Sequence, residues 1–166
     1  MMKTIQGDIL ALAEQGNFDV IVHGSNCANS MKGALATLIK ENYPAVIAAD
    51  DQTANVPAEK KLGTVSGANV TAYGTGHHFT IINGYTQANL RGPGMLVDYD
   101  AIRSVFRIIK KNFPGKRIAY PKIGAGGGRG DWATIEAIIN EELAGEDHTL
   151  VEFVPQSAPY FVANGN

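Results

Sequence analysis

The sequence predicts an α/β domain with a mostly parallel sheet. Short apolar runs rich in β-branched residues, such as DVIV at 19–22, alternate along the chain with segments whose apolar residues recur at helical spacing. The chain has 166 residues, which suits one domain with its own core, and it shows no internal repeat or linker. We therefore expect a single domain over residues 1–155, followed by a C-terminal tail over 156–166.

The first half of the chain predicts two strands and three helices. The strands are expected over 2–7 and 19–22, and the helices over 9–15, 34–43 and 46–51. Asp8 is placed to cap the first helix and Gly16 to end it, while Pro44 ends the second. The polar run HGSNCANSMKG, which begins at His23, is predicted to be a loop, and so is the segment 52–61.

The second half predicts four strands and two helices. The strands are expected over 64–71, 78–83, 117–120 and 149–154, and the helices over 99–111 and 132–143. The clearest helix is 99–111, because Ile102, Val105, Phe106 and Ile109 form one apolar stripe. The segment 84–96 contains too many breakers for a regular element.

Composition narrows the classes of function. The net charge of −2 gives no overall field that would attract nucleic acid, so we expect no nucleic-acid partner. Cys27 is the single cysteine, no apolar run approaches the roughly 18 residues of a membrane span, and the N-terminus lacks the apolar core of a signal peptide. His77 and His78 have no third ligand nearby, so neither a metal nor a cofactor is expected. We expect a cytoplasmic monomer.

The segment YPKIGAGGGRGDW at 120–132 is rich in glycine. Five of the seven residues at 124–130 are glycine, and they lie between a predicted strand and a predicted helix. Ligands of open α/β sheets bind at the carboxyl ends of strands, and the unpaired N–H groups of a helix N-terminus suit phosphate. The spacing matches neither the P-loop nor the dinucleotide fingerprint. The segment predicts an anion-binding loop, with a merely flexible connection as the alternative.

The polar loop after the strand 19–22 occupies the same kind of position. Two such loops side by side could grip a diphosphate from both sides. Asn26 and Asn29 either bind ribose hydroxyls or satisfy the loop backbone in Asx turns, and Lys32 either neutralises a phosphate or is solvated. Cys27 is interpreted as a buried free thiol rather than a nucleophile.

Four segments together resemble the macro domain family of ADP-ribose binders. They are GDI at 7–9, DVIVHGSNCANSMKGALA at 19–36, KLGTVS at 61–66 and YPKIGAGGGRGDW at 120–132. Their order and spacing match over nearly the whole chain, and the small stand-alone members that resemble ADP-ribose 1″-phosphate phosphatases are the most similar. The resemblance implies a three-layer α/β/α sandwich around a mixed, mostly parallel sheet.

The resemblance also implies a substrate-binding site. Asp8 would accept a hydrogen bond from the adenine amino group, and the N–H of Ile9 would face the ring. The loop after the second strand would hold the distal ribose through Asn26, Asn29, Met31, Lys32 and Gly33. The diphosphate would be wrapped by Ile123, Gly124, Ala125, Gly126, Gly127 and Gly128. Tyr160 and Phe161 in the tail either stack on adenine or pin the tail to the core.

Two residues are candidates for catalysis. Histidine side chains ordinarily titrate near neutral pH, so His23 could act as a general acid or base, whereas the alternative is a histidine that ends a strand and bonds to the backbone. Asp131 could activate water at the exit of the glycine-rich segment, whereas the alternative is the N-cap of the last helix.

The implied function is binding of ADP-ribose or ADP-ribose 1″-phosphate, with hydrolytic removal of the 1″-phosphate as the reaction. One branch of the family carries an N-A-A-N-type run, and another pairs a lysine at the end of the middle strand with an aspartate in the glycine loop. This chain has SNCAN, ends that strand at Asn83 and has no acid at 123–129, so neither mechanism transfers. The alternatives are a binding module without turnover and a hydrolase of ADP-ribosylated macromolecules.

Overall fold

Strands and helices alternate through residues 1–154, the part of the chain that the computed structural model describes. The elements are β1 Lys3–Gly7, α1 Ile9–Glu14, β2 Val20–Asn26, α2 Ala34–Asn42, α3 Pro44–Asp51, α4 Ala58–Lys61, β3 Val65–Thr71, β4 His78–Gln87, α5 Tyr99–Asn112, β5 Ile118–Tyr120, α6 Trp132–Glu142 and β6 His148–Phe153. The tail, with Tyr160 and Phe161, lies outside the described residues.

The six strands form one mixed sheet in the order β1-β6-β5-β2-β4-β3. Neighbouring strands are parallel except β3 and β4, which pair as an antiparallel hairpin. Because β5 and β2 are neighbours, the segments that leave their carboxyl ends lie side by side. The predicted mostly parallel sheet is confirmed, and it brings the two polar segments to one edge.

Helices cover both faces of the sheet. Residues of α5 and α6, among them Phe106 and Ile139, pack on one face, while α1, α2 and α3 pack on the other through residues such as Leu10, Ile39 and Val46. Nearly continuous apolar strands such as β2 are buried from both sides, as parallel strands usually are. The three-layer α/β/α sandwich is therefore confirmed.

Two strands are longer than predicted. β2 continues through Asn26 and β4 continues through Gln87, and the two remain paired, with an irregularity at Ser25 and Asn26. The breaker signal at Gly84 has a packing cause, because an added Cβ there would lie 2.8 Å from Val105 Cγ1 of α5. A glycine inside a strand can mark close approach of another element rather than an end.

The sequence predicted a loop over 52–61, and this prediction is wrong for the end of the segment. The segment contains α4, whose last residue Lys61 is only 1% exposed. Propensity reasoning assumes that lysine faces solvent, but this side chain is turned inward to polar partners. Of the helices within residues 1–154, none combines the length and apolar character needed to cross a membrane.

Two buried histidines make the stability of the fold depend on pH. Burial lowers the pKa of His23 in β2 and of His148 in β6 below the ordinary 6.5. Because the unfolded chain binds these protons at a higher pH than the folded chain, the stabilisation is complete above about pH 6.5 and is lost progressively below it.

We expect the free energy of unfolding, measured by urea titration, to be lower at about pH 5 than at about pH 7.5. His148→Gln should reduce this pH dependence, because it removes one of the two buried groups. His77→Gln serves as the control, since His77 is exposed. A pH dependence that is equal in His148→Gln and the wild type would contradict the prediction.

Candidate functional site

A cleft of about 410 Å³ opens where β2 and β5 end. Its walls come from residues 27–33, here called the β2 loop, and from residues 121–131, here called the glycine loop. The predicted site residues that line it are His23, Asn26, Met31, Lys32, Gly33, Ile123, Gly124, Gly126, Gly127 and Gly128. The structure thus brings together the two segments that the sequence suggested would meet.

A narrower pocket of about 160 Å³, here called the apolar slot, adjoins the cleft near β1 and β6. Ala34, Leu35 and Pro121 line both spaces, so they form the shared wall between them. Among the described residues that line the slot, Asp8 is the one that carries a charge, and Ile9 lies beside it. An apolar space with a single carboxylate suits a flat ring that carries a hydrogen-bond donor.

Asp8 caps helix α1 and also lines the apolar slot. Its Oδ1 accepts a hydrogen bond from Ala11 N at 3.1 Å, which caps α1 as the sequence predicts. Its second oxygen takes no hydrogen bond from the described residues, and the residue lines the slot. Capping and ligand recognition are therefore compatible at Asp8, because they use different oxygens.

The glycine loop has several amides that find no hydrogen-bond partner among the described residues. The amides of Ala125, Arg129 and Gly130 donate to carbonyls within the loop, at 3.3, 3.0 and 2.7 Å. Within residues 1–154, the amides of Gly126 and Gly127 donate to no protein atom, and both residues line the cleft. Backbone N–H groups without an intramolecular partner, in a loop that leads into a helix, can bind an anion, and this part of the loop is here called the cradle.

Different physical constraints apply at the glycine positions of this loop. Gly124 has φ +78°, in the left-handed region. At Gly128 an added Cβ would lie 2.8 Å from the carbonyl oxygen of Gly124, so the backbone itself excludes a side chain. Gly126 and Gly127 face open space, with no atom within 4 Å of an added Cβ. Some positions therefore shape the loop, and others leave room for a ligand.

The segment 92–97 holds the glycine loop through backbone and side-chain hydrogen bonds. Leu96 N and Val97 N both donate to the carbonyl oxygen of Gly128, at 2.9 and 3.1 Å. Arg129 Nη1 donates to the carbonyl oxygens of Gly92 and Gly94. Arg129 is thus occupied by backbone carbonyls, and its partners fix the loop against the body of the domain.

Two asparagines fix the β2 loop: Asn26 at the end of β2 and Asn29 within the loop. Asn26 Nδ2 donates to Ser30 O at 2.8 Å, and its Oδ1 accepts from the amides of Ala28 and Ser30. Asn29 does not line the cleft, because its amide is turned to Lys61 and Asp50. Asn26 therefore forms the Asx turn that the sequence left open as an alternative, although it also lines the cleft, whereas Asn29 bonds residues outside the loop.

His23 lies on the floor of the cleft and is 5% exposed. Its Nε2 is 2.6 Å from Asn83 Oδ1. Asn83 Nδ2 donates to Val46 O and Ser66 Oγ, so Oδ1 must accept and the Nε2 of His23 must carry a proton. Burial lowers the pKa of His23, so the ring is neutral near pH 7 and its Nδ1 is an acceptor.

The chain is similar in sequence to one known protein and in structure to several solved ones. It is 30% identical over 159 residues to an uncharacterized 17.5 kDa protein of Enterobacteria phage T4, covering 93% of this chain and 98% of that protein. The macrodomain of Mycobacterium tuberculosis DarG superimposes with a TM-score of 0.69 at 24% identity, covering 91% of this chain and 97% of that one. The chain has the macro domain fold and belongs to one family with the phage T4 protein.

A second solved structure extends this comparison. Thermosipho africanus DarTG in complex with ADP-ribose superimposes on this macro domain with a TM-score of 0.72 at 15% identity. The match covers 96% of this chain and 44% of that one. No model of a known protein family matches the sequence. The macro domain resemblance drawn from the four sequence segments is confirmed by these folds.

Asp131 lies outside the lining of the cleft in this macro domain. It is the N-cap of α6, and its Oδ2 accepts from Thr134 N at 3.1 Å and from Thr134 Oγ1 at 2.7 Å. These hydrogen bonds lower the pKa of Asp131. A carboxylate with bound donors and a lowered pKa is a weak general base, so the structure favours the capping alternative.

Sequence reasoning missed several residues of the macro domain site. Ser25, Gln87 and Lys122 line the cleft, and Phe153 lines the apolar slot. Ser25 Oγ is buried and has no hydrogen-bond partner within residues 1–154. Lys122 could have been found from its place next to the glycines, whereas Gln87 lay in a segment that was not predicted to be regular.

The charge of the cleft has one sign. Among the described residues that line it, the charged side chains are Lys32 and Lys122, one from each loop, and none is acidic. Both lysines are exposed to solvent. The cleft therefore attracts an anionic ligand, although the chain as a whole carries a net charge of −2.

Proposed function

We propose that this macro domain binds ADP-ribose or a phosphorylated derivative of it in the joined slot and cleft. The observation that carries the proposal is that the slot and the cleft adjoin, because both are lined by Ala34, Leu35 and Pro121. The slot is apolar and has one carboxylate among its described residues, whereas the cleft is lined by glycines and lysines that suit an anion. In ADP-ribose, the adenine, the diphosphate and the second ribose follow one another in that order, so the adenine can lie in the slot while the rest lies in the cleft. The DarTG structure with ADP-ribose supports the choice of ligand.

Adenine recognition is assigned to the slot. The unbonded oxygen of Asp8 accepts from the amino group of adenine, and the first-turn amide of Ile9 faces the ring. Phe153 is 64% exposed at the end of β6 and lines the slot, which makes it an aromatic wall for the base. The diphosphate lies against the amides of Gly126 and Gly127, with Lys32 and Lys122 on either side.

Asp8→Ser is expected to weaken binding of ADP-ribose about tenfold while it preserves the fold. Serine caps a helix as well as aspartate does, so α1 keeps its cap, but the shorter side chain cannot reach the base. Loss of one charge-assisted hydrogen bond corresponds to about this factor. Calorimetric titration with ADP-ribose measures the affinity, and thermal unfolding checks the fold.

The control for Asp8→Ser is Asp98→Ser, which makes the same change at the N-cap of α5, where Asp98 likewise accepts from the amide three residues on. Asp98 lines neither the slot nor the cleft. Equal affinities of the wild type and Asp8→Ser would remove Asp8 from adenine recognition. Absence of ADP-ribose binding by the wild type would refute the proposed function.

The reaction that we propose is hydrolysis of the 1″-phosphate of ADP-ribose 1″-phosphate. Water attacks phosphorus, the bond from phosphorus to the ribose oxygen breaks, and that oxygen leaves with the proton that the attacking water gives up to His23. Nδ1 of the neutral His23 ring accepts the proton of the attacking water, and the free amides and lysines stabilise charge on the phosphate oxygens.

His23→Ala is expected to lower kcat for phosphate release about a hundredfold or more, because general base catalysis contributes about that factor. The measurement is inorganic phosphate released from ADP-ribose 1″-phosphate, with calorimetry of ADP-ribose to show that binding persists. His77→Ala is the matched control on an exposed histidine. Equal kcat values for His23→Ala and the wild type would exclude His23 from the reaction.

A second candidate function is binding without turnover. It is favoured by the absence of any carboxylate among the described residues of the cleft and by the capping role of Asp131. Tight binding of ADP-ribose, together with no release of phosphate and no cleavage of ADP-ribosylated protein, would support this second function.

A further inference from the structure

A buried polar network lies behind the β2 loop, and neither the slot nor the cleft includes it. Its members outside the cleft are Lys61, Asn29, Thr53, Asp50, Tyr85, Ser66 and Asn83. Lys61 and Ser66 come from the segment KLGTVS, which contributes to the macro domain resemblance but supplies no residue to the lining of the site. Direct contact with a ligand in the cleft or slot therefore does not account for these residues.

Lys61 is the centre of the network and is 1% exposed. Its Nζ donates to Asn29 Oδ1 at 2.8 Å and approaches the carbonyl oxygen of Cys27 at 3.4 Å. The same Nζ lies 4.5 Å from the ring centroid of Tyr85, within the range of a cation–π contact. Because Cys27 and Asn29 both belong to the β2 loop, the lysine holds that loop from inside the domain.

Asn29 is fixed at both ends of its amide. Its Oδ1 accepts from Lys61, and its Nδ2 donates to Asp50 O at 2.7 Å and to Thr53 Oγ1 at 3.2 Å. Asn29 has φ 56°, a left-handed conformation that asparagine tolerates better than most residues. The middle of the β2 loop is thus tied to α3 and α4 by one side chain.

The network continues from there to the floor of the cleft. Tyr85 OH contacts Thr53 Oγ1 at 3.1 Å, donates to Asp50 Oδ1 at 2.6 Å and bonds Ser66 Oγ at 2.6 Å. Asn83 then links Ser66 to His23 Nε2. His23 and the β2 loop are therefore connected by one continuous set of hydrogen bonds, which are buried or partly buried.

We propose that this network is a brace, centred on Lys61, that positions the β2 loop and His23 around the distal ribose; this inference rests on the proposed function. Lys61 and Tyr85 are positioning residues, because they do not line the cleft. The brace acts on the distal half of the ligand. Adenine is held by the apolar slot and the diphosphate mainly by the amides of the glycine loop, and neither contributes a residue to the network. Of the β2 loop, the exposed Lys32 alone is assigned to the diphosphate.

Comparison of two ligands tests this brace. Lys61→Met keeps the length of the side chain and removes its donors, and Lys60→Met makes the same change at the neighbouring exposed lysine. We expect Lys61→Met to weaken binding of ADP-ribose about tenfold but binding of ADP, which lacks the distal ribose, less than about twofold. A general loss of structure would weaken both ligands alike, so the ratio of the two affinities reports positioning.

Asn29→Gly is the second variant, and it decides the matter if Lys61→Met does not fold. Glycine accepts the left-handed backbone of residue 29 but lacks the amide that Lys61 holds. The same selective loss of ADP-ribose affinity is expected. Unchanged ratios of ADP-ribose to ADP affinity in the folded variants would overturn the brace.

Hydrogen exchange separates failure of the brace from failure of the proposed function. Amides of residues 27–33 should exchange faster in Lys61→Met, or in Asn29→Gly if Lys61→Met does not fold, than in Lys60→Met, without any ligand. If the wild type does not bind ADP-ribose, the proposed function fails and these exchange rates alone judge the brace. Faster exchange supports it, and equal exchange overturns it.

Discussion

Gly127→Leu is expected to lower the affinity for ADP-ribose at least about a hundredfold and to leave the thermal midpoint nearly unchanged. An added Cβ at Gly127 meets no atom within 4 Å, so the leucine does not strain the fold. The side chain instead occupies the space beside the free amides of the glycine loop, where the diphosphate would lie. Blocking two charge-assisted hydrogen bonds of about 1.5 kcal/mol each corresponds to this loss.

Calorimetric titration with ADP-ribose and thermal unfolding of the same samples measure the two effects. Ala137→Leu is the matched control, because it adds a side chain to an exposed position of α6 that does not line the cleft. If Gly127→Leu binds ADP-ribose as tightly as the control, the diphosphate does not lie against the glycine loop and its assignment there is wrong.

The fold could be predicted well because its signals are local. Helix α5 follows from its apolar stripe and from Asp98, which is its N-cap. The central strand β2 begins with a short apolar run, and β5 consists of one. The errors occurred where local signals conflict with tertiary packing. Gly84 continues a strand because Val105 packs against it, and Lys61 is buried because polar groups from other segments receive its nitrogen.

The site could be predicted only in part. The order of residues in the sequence shows which segments carry the site, but it does not show in which direction each side chain points. The sequence predicted that both polar segments lie at the carboxyl ends of neighbouring strands. The parallel pairing of β2 and β5 brings them together there. The sequence could not show that Asn29 turns away from the cleft or that Phe153 lines the slot. Those outcomes depend on α3, α4 and β6, which are distant in the sequence.

The glycine loop combines two demands that the sequence cannot separate. Gly126 and Gly127 leave room for a ligand, whereas Gly128 lies against the backbone of Gly124. Composition reports only that glycine is abundant. The structure therefore predicts opposite phenotypes for neighbouring positions in one loop, and this contrast distinguishes a ligand cradle from a loop that is merely flexible.

Gly128→Ala is expected to lower the free energy of unfolding by about 2–3 kcal/mol, because the new methyl group would lie 2.8 Å from the carbonyl oxygen of Gly124 and 3.1 Å from Val97 Cβ. Neither neighbour can swing aside, since one is backbone and the other is the Cβ of a residue that is 3% exposed. Urea titration of the purified variant measures the loss.

Gly126→Ala is the control for this experiment, because the same methyl group meets no atom within 4 Å there. Its free energy of unfolding should stay within about 0.5 kcal/mol of the wild type. If Gly128→Ala is as stable as Gly126→Ala, the glycine loop yields to the methyl group, and a loop that yields so easily does not hold its amides ready for a diphosphate. If only Gly128→Ala is destabilised, the loop is a rigid turn whose shape exists before any ligand binds.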